Sequence, residues 1–87
     1  MIILFHRHFR RRYKKLSDKT RNYFQERLKL FIEDQLHPLL ENHALQGEWK
    51  GFRSINITGD IRVIYKAIDA QSVEFVLIST HHDFYGK

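Results

Sequence analysis

The 87-residue chain contains no cysteine, one proline and four glycines. Without cysteine it can form no disulfide, bind no metal through thiolates and use no thiol nucleophile. Its longest apolar run, Met1 to Phe5, is far shorter than the roughly 20 residues that span a bilayer. The sequence also lacks the basic-then-apolar order of a signal peptide. We therefore expect a single cytoplasmic domain that comprises residues 1–87.

Acidic residues are missing from residues 1–15, although the whole chain has 10 of them against 15 Lys and Arg. The basic side chains of this stretch, which we call the basic block, are Arg7, Arg10, Arg11, Arg12, Lys14 and Lys15. Because Phe5, Phe9 and Tyr13 are interleaved with them, the block suggests a polyanionic partner: RNA, DNA or an acidic protein. A solvated helix face would explain the charge equally well.

Apolar spacing in the first half of the chain predicts a strand followed by two helices. Met1 to Phe5 is a short run of β-forming residues. Aromatic residues then recur at helical spacing to about Lys15. Ser17 is a suitable N-cap for a second helix, which should end at His37 because Pro38 disfavours helical geometry there. The predicted buried face of this helix consists of Phe24, Leu28, Phe31, Ile32 and Leu36.

The second half of the chain alternates apolar and polar residues between turn signals. Residues 39–47 read as a connector, and residues 52–57, 61–68 and 72–79 as strands separated by short turns. Three such strands should form an antiparallel meander. The predicted fold class is α+β: a small single domain in which an N-terminal strand and a helical hairpin pack on an antiparallel sheet.

Residues that could carry chemistry lie mainly at strand ends and in loops of the second half. The sequence has no glycine-rich phosphate loop, nucleophile elbow or paired-carboxylate motif. Arg62 should share a strand face with Ile64 and Lys66, and an arginine that points out of a sheet suits bidentate phosphate binding. A nearby histidine and tyrosine would complete an acid–base set for phosphodiester chemistry without metal. Spacing alone favours the simpler interpretation that Arg62 is a surface residue.

Four segments, in this order and spacing, resemble the RelE/ParE toxin superfamily and within it the YafQ-like branch. They are Asn42 to Gly47, Trp49 to Ile55, Gly59 to Lys66 and Ser79 to Tyr85. The resemblance extends from Phe9 to Tyr85 and implies a sheet packed by an N-terminal helical hairpin, in agreement with the pattern above. It also implies an endoribonuclease that enters the ribosomal A site, cuts mRNA and is held inactive by a cognate antitoxin.

The resemblance implies five catalytic positions. His43 matches a catalytic histidine of YafQ and is the candidate base. Asp60 matches a catalytic aspartate that would support His43 or share that role. Arg62 matches the strand arginine with which RelE and YoeB hold phosphate. His81 matches the proposed general acid, and Tyr85 the terminal aromatic residue that orients or stacks the RNA.

The implied reaction is a transesterification that needs no metal or cofactor and leaves a 2′,3′-cyclic phosphate and a 5′-hydroxyl. The implied partners are the antitoxin, the ribosomal A site and mRNA, with operator DNA reached only through the antitoxin complex and no membrane. Beside the basic block, the residues expected to grip RNA are Lys50 and Arg53.

Two other functions remain open. Asn56, Ile61 and Leu77 stand where YafQ has a histidine, a tryptophan and an arginine, so the chain could be a degenerate member that only binds its antitoxin. It could also be a non-enzymatic DNA gyrase inhibitor like ParE. The retained His43, Asp60, Arg62 and His81 argue against that second alternative.

Overall fold

The computed structural model describes residues 1–80, which form five β-strands, two α-helices and two 3-10 turns. In chain order the elements are β1 (Ile2–Phe5), α1 (Arg7–Lys14), α2 (Asp18–Glu33), β2 (His43–Ala44), β3 (Arg53–Thr58), β4 (Ile61–Asp69) and β5 (Ser72–Thr80), with 3-10 turns at Pro38–Leu40 and Gly47–Trp49. A strand, a helical hairpin and a meander follow one another, which confirms the predicted α+β class. Neither of the described helices is long and apolar enough to cross a membrane.

The strands form one sheet in the order β1-β5-β4-β3-β2. As predicted, β3, β4 and β5 are an antiparallel meander. The first strand joins this meander in parallel, with Ile2 opposite Ser72 and Phe5 opposite Phe75, so the complete sheet is mixed. At the other side, β2 pairs antiparallel with β3, and His43 lies opposite Ser54. The prediction that residues 39–47 form only a connector was therefore wrong, because a two-residue strand is too short to show alternation.

The side chains at the helix ends explain where the helices begin and stop. Ser17 Oγ accepts a hydrogen bond from the Thr20 amide at 3.1 Å, which confirms the predicted N-cap of α2. That helix ends at Glu33 and not at His37. Asp34 adopts an extended conformation, and its carboxylate accepts a 3.0 Å bond from the Leu36 amide. This local turn competes with a further helical turn, so the helix ends before Pro38 requires it.

The core lies between the two helices and one face of the sheet. Its aromatic members are Phe9, Phe24, Phe31, Tyr65 and Phe75. Phe31 is fully buried and meets Tyr65 and Phe75 edge-on, with ring centroids 5.1 and 5.5 Å away. Such edge-to-face contacts are favourable beyond the area that they bury. Phe75 therefore joins β5 to the helix above it.

Two residues of the predicted buried face of α2 are instead exposed. Ile32 is 52% exposed, because it lies one position after Phe31 and is thus rotated by about 100° around the helix. Leu36 is 70% exposed because it lies beyond the end of the helix, where helical spacing no longer applies. The prediction of the buried face was correct for Phe24 and Phe31 and wrong for these two.

Candidate active site

His43 and Arg62 lie on the sheet face opposite the helices. Val63 and Tyr65 belong to the helix-side core, so alternation along β4 turns Arg62 and Ile64 to the second face. Ser54 is opposite Ile64, and His43 is in turn opposite Ser54. Paired residues share a face, and the register of three strands therefore brings the histidine and the arginine together.

The guanidinium of Arg62 is buried and has partners on several sides. The residue is only 6% exposed. Its Nε donates to Ser54 Oγ at 2.6 Å, and its Nη2 donates to the Glu41 carbonyl at 3.1 Å. Its Nη1 lies 3.5 Å from the Glu41 carboxylate. The interpretation of Arg62 as a surface residue was therefore wrong, because β4 is covered on both faces and one strand's alternation cannot reveal that.

His43 is exposed and oriented by the backbone of the preceding turn. Its Nδ1 is 2.9 Å from the carbonyl oxygen of Glu41, and the Arg62 Nη2 is 3.5 Å from the same nitrogen. Glu41 follows the 3-10 turn Pro38–Leu40 and has a left-handed backbone, with φ at 47°. Sequence reasoning missed Glu41, because nothing in the residue type signals a left-handed turn or a carbonyl that two side chains share.

Asn42 anchors the same turn to the helix side of the sheet. Its Nδ2 donates to the Tyr65 hydroxyl at 2.8 Å and to the Gln35 carbonyl at 2.9 Å. Its Oδ1 accepts from the Nε of Arg53 at 2.8 Å. These side chains line a cavity of about 700 Å³. Arg53, which we expected to grip RNA, is therefore engaged on the face away from His43 and Arg62.

The remaining predicted catalytic residues are not joined to this pair in the part of the chain that the structure describes. Asp60 is exposed in the turn between β3 and β4. Within residues 1–80, no hydrogen bond or ion pair connects it to His43 or Arg62. His81 and Tyr85 lie outside the described residues. Their roles, and that of Asp60, stay predictions.

The basic block consists of five exposed residues of α1 and of Lys15, which caps the helix at its carboxyl end. All six of its cationic residues are exposed, whereas Phe9 and Tyr13 on the same helix pack toward the core. The Arg12 guanidinium donates to Ser79 Oγ of β5 and thereby ties the helix to the sheet. The pKa of His8 is held below its ordinary value by lost hydration and by the nearby His6, Arg7 and Arg11. Lys50 is exposed after the 3-10 turn Gly47–Trp49.

No group of three or more His, Asp or Glu side chains in residues 1–80 is arranged to hold a metal ion. The groups offered by the described site are an imidazole, a buried guanidinium and a carboxylate next to it. An imidazole can take up a proton near neutral pH, and a buried cation can stabilise negative charge that develops close by. The arrangement therefore suits proton transfer at a phosphodiester.

The helical hairpin packed on the mixed sheet is the fold of RelE-like toxins. The chain belongs to the YafQ family within that class, since the family model described as a bacterial toxin of a type II toxin–antitoxin system, YafQ, matches residues 1–86. This confirms the resemblance inferred from the sequence.

Individual relatives agree with the family match. YafQ from E. coli strain BL21(DE3) superimposes with a TM-score of 0.76 at 26% identity, over 97% of each chain. The E. coli DinJ–YafQ complex matches with a TM-score of 0.73 at 26% identity, also over 97% of each chain. A YoeB/ParE toxin from Agrobacterium tumefaciens matches with a TM-score of 0.77 over 93% of this chain and 99% of that one; at 16% identity it shows the fold alone.

A Haemophilus influenzae protein named as a toxin YafQ is 53% identical to this chain over 34 residues. That match spans 36% of this chain and a third of the relative's own length.

Proposed function

We propose that this type II toxin is a ribosome-dependent endoribonuclease that cuts mRNA in the cytoplasm without a metal. The observation that supports this most directly is the exposed His43 ring beside the buried Arg62 guanidinium, 3.5 Å from Nη2 to Nδ1. A proton acceptor and a fixed cation at one point are what phosphodiester transesterification requires.

In the proposed reaction, His43 removes the proton from the 2′-hydroxyl of the ribose. The O2′–P bond forms, the P–O5′ bond breaks, and His81 gives a proton to the departing O5′. The products are a 2′,3′-cyclic phosphate and a 5′-hydroxyl, so the reaction consumes no water. It leaves His43 protonated and His81 deprotonated. Asp60 would support the base, and Tyr85 would stack on a nucleobase.

Arg62 contributes fixed positive charge beside the reacting phosphate. The guanidinium is already bonded to Ser54 and Glu41, so it needs little reorganisation when charge develops. Burial strengthens its field, although the Glu41 carboxylate at 3.5 Å offsets part of it. The buried guanidinium thus acts through its charge, whereas the sequence suggested an outward-pointing arginine that binds phosphate with two hydrogen bonds.

The polyanionic partner of the basic block is, in this proposal, RNA of the ribosome and the message. The exposed cations of α1 and Lys50 would contact phosphates, whereas Arg53 is occupied by Asn42. The inhibitory partner would be a cognate antitoxin, as the DinJ–YafQ complex of E. coli suggests. Contact with operator DNA would occur only through that complex.

The experiment is single-turnover cleavage of mRNA on programmed ribosomes. We expect cleavage by wild type, and a loss on the order of 10²–10⁴ in rate for His43→Ala, as is usual when an acid–base group is removed. His8→Ala is the matched control, because it deletes an exposed histidine of α1 and should leave the rate unchanged. His81→Ala should be slowed in the same way as His43→Ala.

The outcomes separate the three functions. Wild type that binds the A site but never cleaves would support the degenerate binding module. DNA cleavage that depends on gyrase, with intact mRNA, would support a ParE-like inhibitor. Equal rates for wild type and His43→Ala would remove His43 as the base.

A further inference from the structure

Glu41 has an unusual backbone for its residue type. Its φ of 47° is the single positive value found at a non-glycine residue within residues 1–80. Left-handed backbone is unfavourable for residues with long side chains and is accepted readily only by Gly, Asn and Asp. Such a conformation persists where the surroundings hold it, and it is most frequent at functional sites.

The Glu41 carbonyl is held on one side by Arg62 and used on the other by His43. Arg62 Nη2 donates to it at 3.1 Å, and His43 Nδ1 lies 2.9 Å from it. A carbonyl oxygen has two lone pairs and can accept both bonds. The Nε bond to Ser54 and the burial of the guanidinium fix the plane from which Nη2 donates.

The distance of 2.9 Å between His43 Nδ1 and the Glu41 carbonyl oxygen indicates which nitrogen of His43 carries the proton. An unprotonated Nδ1 would direct its lone pair at the lone pairs of the carbonyl, so Nδ1 must be the N–H that donates. The Arg62 contact to Nδ1, at 3.5 Å, is too long to compete. In the neutral ring the free lone pair is then on Nε2, and the exposed side chain presents it away from the turn.

We propose that the Glu41 carbonyl, held by Arg62, is the positioning group that keeps His43 in the Nδ1–H tautomer and makes Nε2 its proton acceptor. Glu41 and Arg62 act through His43 and are positioning residues. The base role of Nε2 rests on the proposed nuclease function, whereas the tautomer does not.

The tautomer can be measured in the full chain without ribosomes. Ring ¹⁵N chemical shifts of labelled wild type, recorded where His43 is neutral, should show Nδ1 protonated; His43→Gln assigns the signals. The structure also offers a matched pair at Glu41. Glu41→Asn and Glu41→Val both remove the carboxylate, but Asn tolerates a left-handed backbone and Val does not.

We expect Glu41→Asn to keep the Nδ1–H tautomer, because Asn tolerates the left-handed backbone that places the carbonyl. Glu41→Val should shift the ring toward Nε2–H and slow cleavage, with an upper limit on the order of the 10⁴-fold that a wrong histidine tautomer costs a serine protease. Arg62→Lys keeps the charge but loses the planar fork that bonds Ser54 through Nε and Glu41 through Nη2, so it should shift the tautomer as well.

A dominant Nε2–H signal in wild type would overturn the inference, and so would an unchanged tautomer in Glu41→Val. If Glu41→Val does not fold, as amide spectra would show, wild type and Arg62→Lys decide the question. A tautomer as inferred, combined with an inactive wild type or with an active His43→Ala, would instead contradict the proposed function.

Discussion

The side chain of Asn42 should contribute more to stability than its half-buried position suggests. It makes three hydrogen bonds: to the Tyr65 hydroxyl, to the Gln35 carbonyl and from Arg53 Nε. Tyr65 is 2% exposed, so its hydroxyl depends on partners inside the protein and on any water in the cavity that it lines. Asn42→Ala removes all three bonds while it leaves the backbone of the turn in place.

Each such bond contributes about 1 kcal/mol net, so three lost bonds suggest a cost of about 3 kcal/mol. The neighbouring cavity of about 700 Å³ is large enough to admit water, which can satisfy part of what Asn42 leaves. We therefore expect the free energy of unfolding to fall by about 1.5–3 kcal/mol. The Glu41–His43 turn should also lose protection, because Asn42 is its anchor on the helix side of the sheet.

The assay is urea unfolding followed by fluorescence and circular dichroism, with amide exchange at residues 41–43. Tyr65→Phe is the matched control, since it removes one of the three bonds and should cost about 1 kcal/mol. The double variant should cost less than the sum of the two single variants, because they share that bond. A loss below about 0.5 kcal/mol for Asn42→Ala, or strict additivity, would refute this reasoning.

Three further predictions concern the core, a turn and the basic block. Phe31→Ala should lower the free energy of unfolding by about 3–5 kcal/mol. Ile32→Ala, one residue further on, should cost far less because Ile32 is half exposed. Thermal unfolding measures the stability of both variants against wild type. The hydrogen bond from the Gln71 amide, together with Ser72, holds the pKa of Asp69 below its ordinary value. This carboxylate therefore stabilises the fold above about pH 4, and the effect is lost as the pH falls through the lower folded-state pKa. Asp69→Asn should be less stable than wild type at pH 7 and equally stable in acid. Removing two exposed arginines from α1 should weaken RNA binding and flatten its dependence on salt, and removing two exposed lysines from α2 should do so less, as binding titrations across a salt series would show. The paired substitutions are Arg10→Ala with Arg11→Ala, and Lys19→Ala with Lys29→Ala.

The fold class could be predicted from periodicity because its largest elements are long enough to show it. Three strands of the meander and the hairpin of helices were each indicated by their own pattern and turn residues. The end of α2 was not, because an aspartate that bonds the Leu36 amide stops the helix one turn before the proline does. The exposure of Ile32 depends on how the helix is rotated against the sheet. Apolar spacing does not reveal whether Phe31 or its neighbour Ile32 faces the core.

Two members of the described site were predicted, but not their arrangement. The resemblance indicated His43 and Arg62, but their contact depends on a two-residue strand that no pattern reveals. The burial of Arg62 depends on Ser54 and Glu41, which come from two other segments of the chain. The part played by Glu41 is a matter of backbone conformation, and the residue type argues against it.

The parallel pairing of β1 with β5 has a consequence for how the chain folds as it is made. The first strand forms its ladder with Ser72–Phe75, so this contact spans nearly the whole described chain. Contacts between distant segments form slowly, because the loop between them must be closed first. During synthesis, which proceeds from the amino terminus, α1 and α2 emerge well before Phe75, the ring on which both pack. The aromatic rings of the two helices must therefore wait, beside a cluster of positive charge, for their partner on the sheet until the last strand arrives and the core can close.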